Sequence, residues 1–143
     1  MKTQAQKAED FRALHARPKA FIIPNPWDAG TARMLASLGF EALATTSAGF
    51  AFSAGLLDNR VGRERMLAHL GAIAAATDLP VSADLENGFG DDPKTVAETI
   101  RLYRELLSGN LTGKAVWSAL KATNRIGVTR GTLEERRDPL AIV

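Results

Sequence analysis

The chain has 143 residues, 45% of them hydrophobic and 24% charged, with 12 glycines and 6 prolines. At about 100–200 residues per domain this allows one packed domain and excludes disordered, collagen-like and coiled-coil chains. No cysteine is present, which removes disulfide frameworks, thiolate zinc sites, iron–sulfur clusters and a cysteine nucleophile, and fits a cytoplasmic setting. The net charge of +2 is uneven, −2 over residues 1–100 and +4 over residues 101–143. The positive charges of the tail are scattered, however, and Arg136-Arg137 adjoins Glu134-Glu135. A solvated surface is expected there, not a nucleic-acid arm, since Trp117 is the single tail aromatic beyond residue 106.

In chain order, residues 3–16 read as an amphipathic helix with Phe11 and Leu14 on its apolar side. The lead-in Met1 to Asp10 lacks an apolar segment, so no secretory signal is expected. Residues 20–23, an apolar run stopped by Pro24-Asn25-Pro26, read as a first strand buried on both faces. Asp28 is placed to cap a helix through Leu38, with Ala29, Ala32, Leu35 and Ala36 as its buried stripe and Gly39 closing it. Residues 42–45 form a second strand, and the near-uncharged run 42–57 is too polar and short for the roughly 20 residues of a membrane span.

Residues 46–60 read as a long binding loop or lid, followed by a helix over about 62–77 with Met66, Leu67, Leu70, Ile73 and Ala74 inward. A third unit has a strand at 79–83, a glycine-rich stretch to Asp92, Pro93 in the first helical turn, and a helix through about Leu107 with Val96, Ile100 and Tyr103 toward the core. Three strand–helix units predict a parallel sheet with right-handed crossovers, an α/β fold of barrel or doubly wound type, with chemistry at the carboxyl ends of the strands. Beyond about residue 105 the rhythm fails. A helix at 112–121 and a weak strand at 126–129 are the only further elements.

Asp84 and Glu86, two apart at a strand end, are expected to point the same way. Together they form a doubly negative, oxygen-only pocket suited to Mg²⁺ or Mn²⁺. The competing reading has Asp84 capping the following turn, with Glu86, Asp91 and Asp92 as solvated loop charges. Ser47, Ala48 and Gly49 end the second strand in a small turn whose N–H groups can approach an anionic oxygen, or they form an ordinary Ser/Gly turn. Asp58 either reaches the substrate as acid, base or nucleophile or belongs to a plain turn. Trp27 and Asp28 either line the site or serve as rim aromatic and helix cap. His15 and His69, far in sequence from any strand end, are poor general-base candidates.

Three segments in register, Ile23-Pro24-Asn25-Pro26-Trp27-Asp28-Ala29-Gly30, Ala44-Thr45-Thr46-Ser47-Ala48-Gly49 and Ala83-Asp84-Leu85-Glu86-Asn87-Gly88-Phe89-Gly90, resemble the isocitrate lyase/phosphoenolpyruvate mutase family, including its carboxyvinyl-carboxyphosphonate phosphorylmutase-like members. The resemblance covers about residues 8–105. It implies a (β/α)₈ TIM barrel acting on 2-oxo-acid or 2-hydroxy-dicarboxylate substrates through an enolate, by C–C cleavage or P–C chemistry. By motif it assigns Mg²⁺ (or Mn²⁺) to Asp84 and Glu86, the substrate carboxylate to Ser47, Ala48 and Gly49, a flanking role to Trp27, and a closing catalytic aspartate to Asp58.

Two departures stand out against that family. Glu86 replaces the Asp of many members, and a fourth-strand Glu ligand, a loop with Lys and often Cys, and a later Arg are not recognisable in residues 106–143. A typical barrel takes about 250 residues. The expected architecture is therefore a partial barrel, its first three βα units in residues 1–105, followed by a divergent basic tail at 106–143 that points to a gene interruption near residue 106. The isolated chain is expected to be catalytically impaired. The alternative is a non-catalytic Mg²⁺- and oxo-acid-binding fragment or pairing module. Expected partners are a small 2-oxo acid or dicarboxylate and another copy in a homo-oligomer, with no nucleic acid and no membrane.

Overall fold

The computed structural model describes residues 1–108. The elements run α1 (Gln4–His15), α2 (Ala29–Ser37), β1 (Leu43–Ala44), α3 (Ser47–Ser53), α4 (Arg63–Ala76), β2 (Val81–Ser82) and α5 (Pro93–Leu107). The two strands pair in parallel, Leu43 with Val81 and Ala44 with Ser82, so the unit joining them is the expected crossover. The helix at 112–121 and the strand at 126–129 lie outside the described residues. No helix among the described residues is long and apolar enough to cross a membrane.

Helix ends follow the local chemistry. Thr3 caps α1 in a reciprocal pair with Gln6. Asp28 caps α2 through the Thr31 N–H at 2.6 Å, and Gly39, at φ 87°, takes the left-handed position past the end of α2. Asp92 caps α5 ahead of Pro93.

Helix α4 is the centre of the packing. Its Met66, Leu67 and Leu70 meet Ala51, Val61, Leu85, Phe89 and Leu102 in one cluster, while Ile73 meets Ala32 and Leu43 in a second. Each large side chain buried this way contributes about 1.5–3 kcal/mol. A charged group of α1 joins the interior: Lys7, 4% exposed, donates to the carbonyls of Ala74 (2.9 Å) and Thr77 (2.7 Å) at the end of α4.

The structure corrects the expected elements in three places. Residues 20–23 belong to no ladder, and Ile22 is 72% exposed. Pro24 and Pro26 lack N–H donors. The segment instead touches β1 through the Ala44 N–H on the Pro24 carbonyl (3.1 Å) and the Asn25 side-chain amide on the Ala44 carbonyl (2.9 Å).

The stretch 46–60, expected to be a loop, opens with α3, because Thr46 caps a helix through the Gly49 N–H (3.0 Å). In α5 the fully buried residues are Thr99 and Leu102; Tyr103 packs against the main cluster as expected, while Val96 and Ile100 are half-buried. The helix is rotated so that Thr99 faces the Gly88 carbonyl.

Candidate functional site

The carboxyl ends of β1 and β2 lie side by side, and the site grows from the two segments that leave them. Past β1, Thr45 is 4% exposed and its Oγ1 accepts the Asp84 N–H at 2.9 Å. The Ser47 N–H donates to Asp84 Oδ2 at 2.9 Å. Asp84 Oδ1 accepts the Glu86 N–H at 3.0 Å. Both oxygens of Asp84 are thus oriented by backbone donors, one from each strand's exit.

Ser47, Ala48 and Gly49 are the first turn of α3, not a free turn. Of their N–H groups, that of Ser47 goes to Asp84 and that of Gly49 to Thr46. A Cβ at Gly49 would sit 2.6 Å from Thr46 Cγ2 and 3.4 Å from Trp27 Cβ, so only glycine lets Trp27 and the cap close on this turn. Trp27, 48% exposed, therefore flanks α3 with its ring partly free. Asp58 stands in an exposed turn with Asn59 at φ 61°, and its Oδ1 lies 3.5 Å from Ser47 Oγ, the outer limit of a hydrogen bond. The structure so brings Trp27, Ser47, Ala48, Gly49, Asp58, Asp84 and Glu86 into one neighbourhood.

Glu86 arrives by a different route from the one expected. Strand pairing ends at Ser82, and Glu86 lies in a turn at φ 52°, so the alternation of a pleated strand does not set its direction. Asp84 caps this turn, as the competing reading had it, yet Glu86 is not solvated: it is 6% exposed and its Oε1 is buried without a partner. Burial, followed by the charges of Asp58 and Asp84, pushes its carboxyl up to about 7. Among the described residues, no group of three or more His, Cys, Asp or Glu side chains is arranged to hold a metal ion.

Sequence reasoning missed two supporting groups. Thr45 belongs to a quoted motif, but its hydroxyl is seen to hold Asp84 only once β1 and β2 are adjacent. His69 stacks face to face on Phe50 of α3, with centroids 3.7 Å apart and planes within 3°, and its Nε2 is buried without a partner. Burial lowers its pKa against the opposing charge of Asp28. Its distance in sequence from the strand ends concealed that α4 packs beneath α3.

The phosphoenolpyruvate phosphomutase family profile matches residues 11–134. A 2,3-dimethylmalate lyase of Eubacterium barkeri is 34% identical over 104 residues, covering 68% of this chain and 34% of its own. Among solved structures, a Burkholderia cenocepacia J2315 protein described as a lyase/mutase aligns with a TM-score of 0.71 and 70% identity over 73% of this chain and 38% of its own. An oxaloacetate acetylhydrolase in complex with its product oxalate aligns with a TM-score of 0.62 and 27% identity over 74% of this chain and 37% of its own. The chain spans about a third of the length of the curated relatives it matches. Profile, relatives and structures agree with the three motifs in register: the chain belongs to the isocitrate lyase/phosphoenolpyruvate mutase superfamily.

Proposed function

We propose that this chain carries the cation and carboxylate rim of a Mg²⁺-dependent lyase or phosphonomutase acting on a small 2-oxo acid or 2-hydroxy dicarboxylate through an enolate. The observation that carries the reading is Glu86: a carboxylate 6% exposed, with an unpartnered buried oxygen, beside Asp84 and within the field of Asp58. A buried unpaired carboxylate is costly unless protonated or neutralised by a cation. An all-oxygen donor set fits Mg²⁺ or Mn²⁺ and not zinc. Asp84 and Glu86 would hold the ion. When bound, it supplies positive charge beside the oxygen on which negative charge grows during the reaction.

The chain's own residues do the rest. Ser47, Ala48 and Gly49 would cradle a substrate carboxylate through the N–H groups of Ser47 and Ala48, the Gly49 N–H being held by the Thr46 cap; Trp27 would wall it on one side, and Asp58, exposed and across from Ser47, would move a proton. The Ser47 N–H is already spent on Asp84 Oδ2. A substrate carboxylate that takes this donor releases an oxygen of Asp84, so anion binding at α3 and cation binding at Asp84 favour each other. Calorimetry of the whole chain with Mn²⁺ and oxalate, alone and together, tests this. Oxalate should bind more tightly once Mn²⁺ is present, and absence of heat from both would overturn the reading.

A further inference from the structure

We propose that Thr99 is the positioning residue for the Asp84–Glu86 pair, acting from α5 through the Gly88 carbonyl; the inference rests on the cation reading above. The turn that presents Glu86 is held in an unfavourable backbone conformation at two residues, Glu86 at φ 52° and Phe89 at φ 59°, with Gly88 between them at 77°, a value glycine adopts freely. L-residues visit this region rarely, and surrounding structure must over-determine it where it persists. Leu85 (4% exposed) and Phe89 (5% exposed) anchor the two ends of the turn in the core. Gly88 lies directly on α5, where a Cβ would come 2.9 Å from Val96 Cγ1.

The polar tie between turn and helix comes from Thr99. This residue has no exposed surface, and its Oγ1 lies 2.8 Å from the Gly88 carbonyl and 3.1 Å from the Thr95 carbonyl. A threonine in a helix ordinarily spends its hydroxyl on the carbonyl one turn back; here the shorter contact is the one that leaves the helix. Asp84 is fixed separately, by Thr45 and Ser47. The turn that carries Glu86 is therefore tied at its near end to Asp84, through the Glu86 N–H on Oδ1, and at its far end to α5, through Thr99. Thr99 touches neither carboxylate; it acts by holding the backbone from which Glu86 projects, one step beyond the outer partners that orient ligands directly.

The test compares the unsubstituted chain with Thr99→Val, which keeps the volume and loses the hydroxyl, and Thr99→Ser, which keeps the hydroxyl. Mn²⁺ titration should show affinity weakened about tenfold or more in Thr99→Val and largely restored in Thr99→Ser, on the scale that outer partners set. Equal affinity in Thr99→Val and the unsubstituted chain would overturn the proposal. Should Thr99→Val fail to fold, Thr99→Cys, a weak donor of similar size, should bind Mn²⁺ more weakly than Thr99→Ser, and full affinity in Thr99→Cys would overturn it.

Hydrogen exchange supplies a readout that needs no ion. The Gly88 N–H, bonded to the Leu85 carbonyl at 2.8 Å, should exchange faster in Thr99→Val while the amides of α4 keep their rates. Uniform acceleration across both would mean that Thr99 serves global stability only. Failure of the unsubstituted chain to bind Mn²⁺ would sink the cation reading, and the Gly88 amide would still decide whether Thr99 orders the turn.

Discussion

Two ionisable side chains are almost equally buried in this chain and are treated in opposite ways. Lys7 is 4% exposed, and its ammonium meets two carbonyls at the end of α4, where the helix dipole is negative. Glu86 is 6% exposed, and one of its oxygens meets nothing while burial, and then two other carboxylates, raise its pKa. Lys7 fastens α1 to α4. Glu86 stores unfavourable free energy in a turn that is itself strained. Burial alone therefore does not separate a structural charge from a site charge; the partners do.

The largest effect should come from removing the satisfied charge. Lys7→Met keeps much of the apolar stem but strips the Ala74 and Thr77 carbonyls of their donor. Urea unfolding of the full chain should show a loss of about 3 kcal/mol, the scale of a buried hydrogen-bonded charge whose partners are left behind. A loss below about 0.5 kcal/mol, the level of an ordinary surface substitution, would mean the ammonium does not hold α1 in place.

Glu86→Gln should act with the opposite sign. The folded-state pKa lies near 7 against an ordinary 4.5, so the folded state holds a proton that the unfolded state has released. Stability conferred by that proton is present below about pH 4.5 and is lost as pH rises toward 7. Without divalent cation, Glu86→Gln should be more stable than the parent at pH 7.5 by on the order of 2 kcal/mol, and the two should converge at low pH. Added Mn²⁺ should raise the melting temperature of the parent and leave Glu86→Gln unmoved. Equal response of both would detach Glu86 from the cation.

The same contrast explains what could be read from sequence. The cap at Asp28, the helix start at Pro93, Gly39, and the inward stripe of α4 are local or periodic signals, and they appear where expected. The acidic pair and the Ser47 turn were legible as residue types in register. Their supports were not, because Thr45 to Asp84, Lys7 to Thr77 and His69 to Phe50 are contacts between elements far apart in sequence. The strand expected at 20–23 failed for a different reason. Hydrophobicity suggested burial on both faces, yet Ile22 is 72% exposed and the contact with β1 falls later, at Pro24 and Asn25, where the flanking prolines have no N–H with which to extend a ladder. Helix α3 was hidden because glycine, serine and threonine read as loop, although Thr46 three residues before Gly49 is also a helix cap.

The smallest of these effects concerns His69, and it bears on the Glu86 profile because the two run in opposite directions. Burial lowers the pKa of His69 below 6.5, so its neutral form is favoured in the fold. Stability from this group is intact above pH 6.5 and is lost as pH falls through the lowered value. Between about pH 4.5 and 6.5 the gain from protonating Glu86 is thus partly offset by the cost of protonating His69, and the parent profile should be shallower than either group alone would give. Glu86→Gln isolates the histidine: its stability should fall with acidification over this range. Adding His69→Phe, which preserves a flat ring against Phe50, should flatten that fall. If the double variant keeps the full acid slope, the neutral His69 ring beneath α3 is not its source.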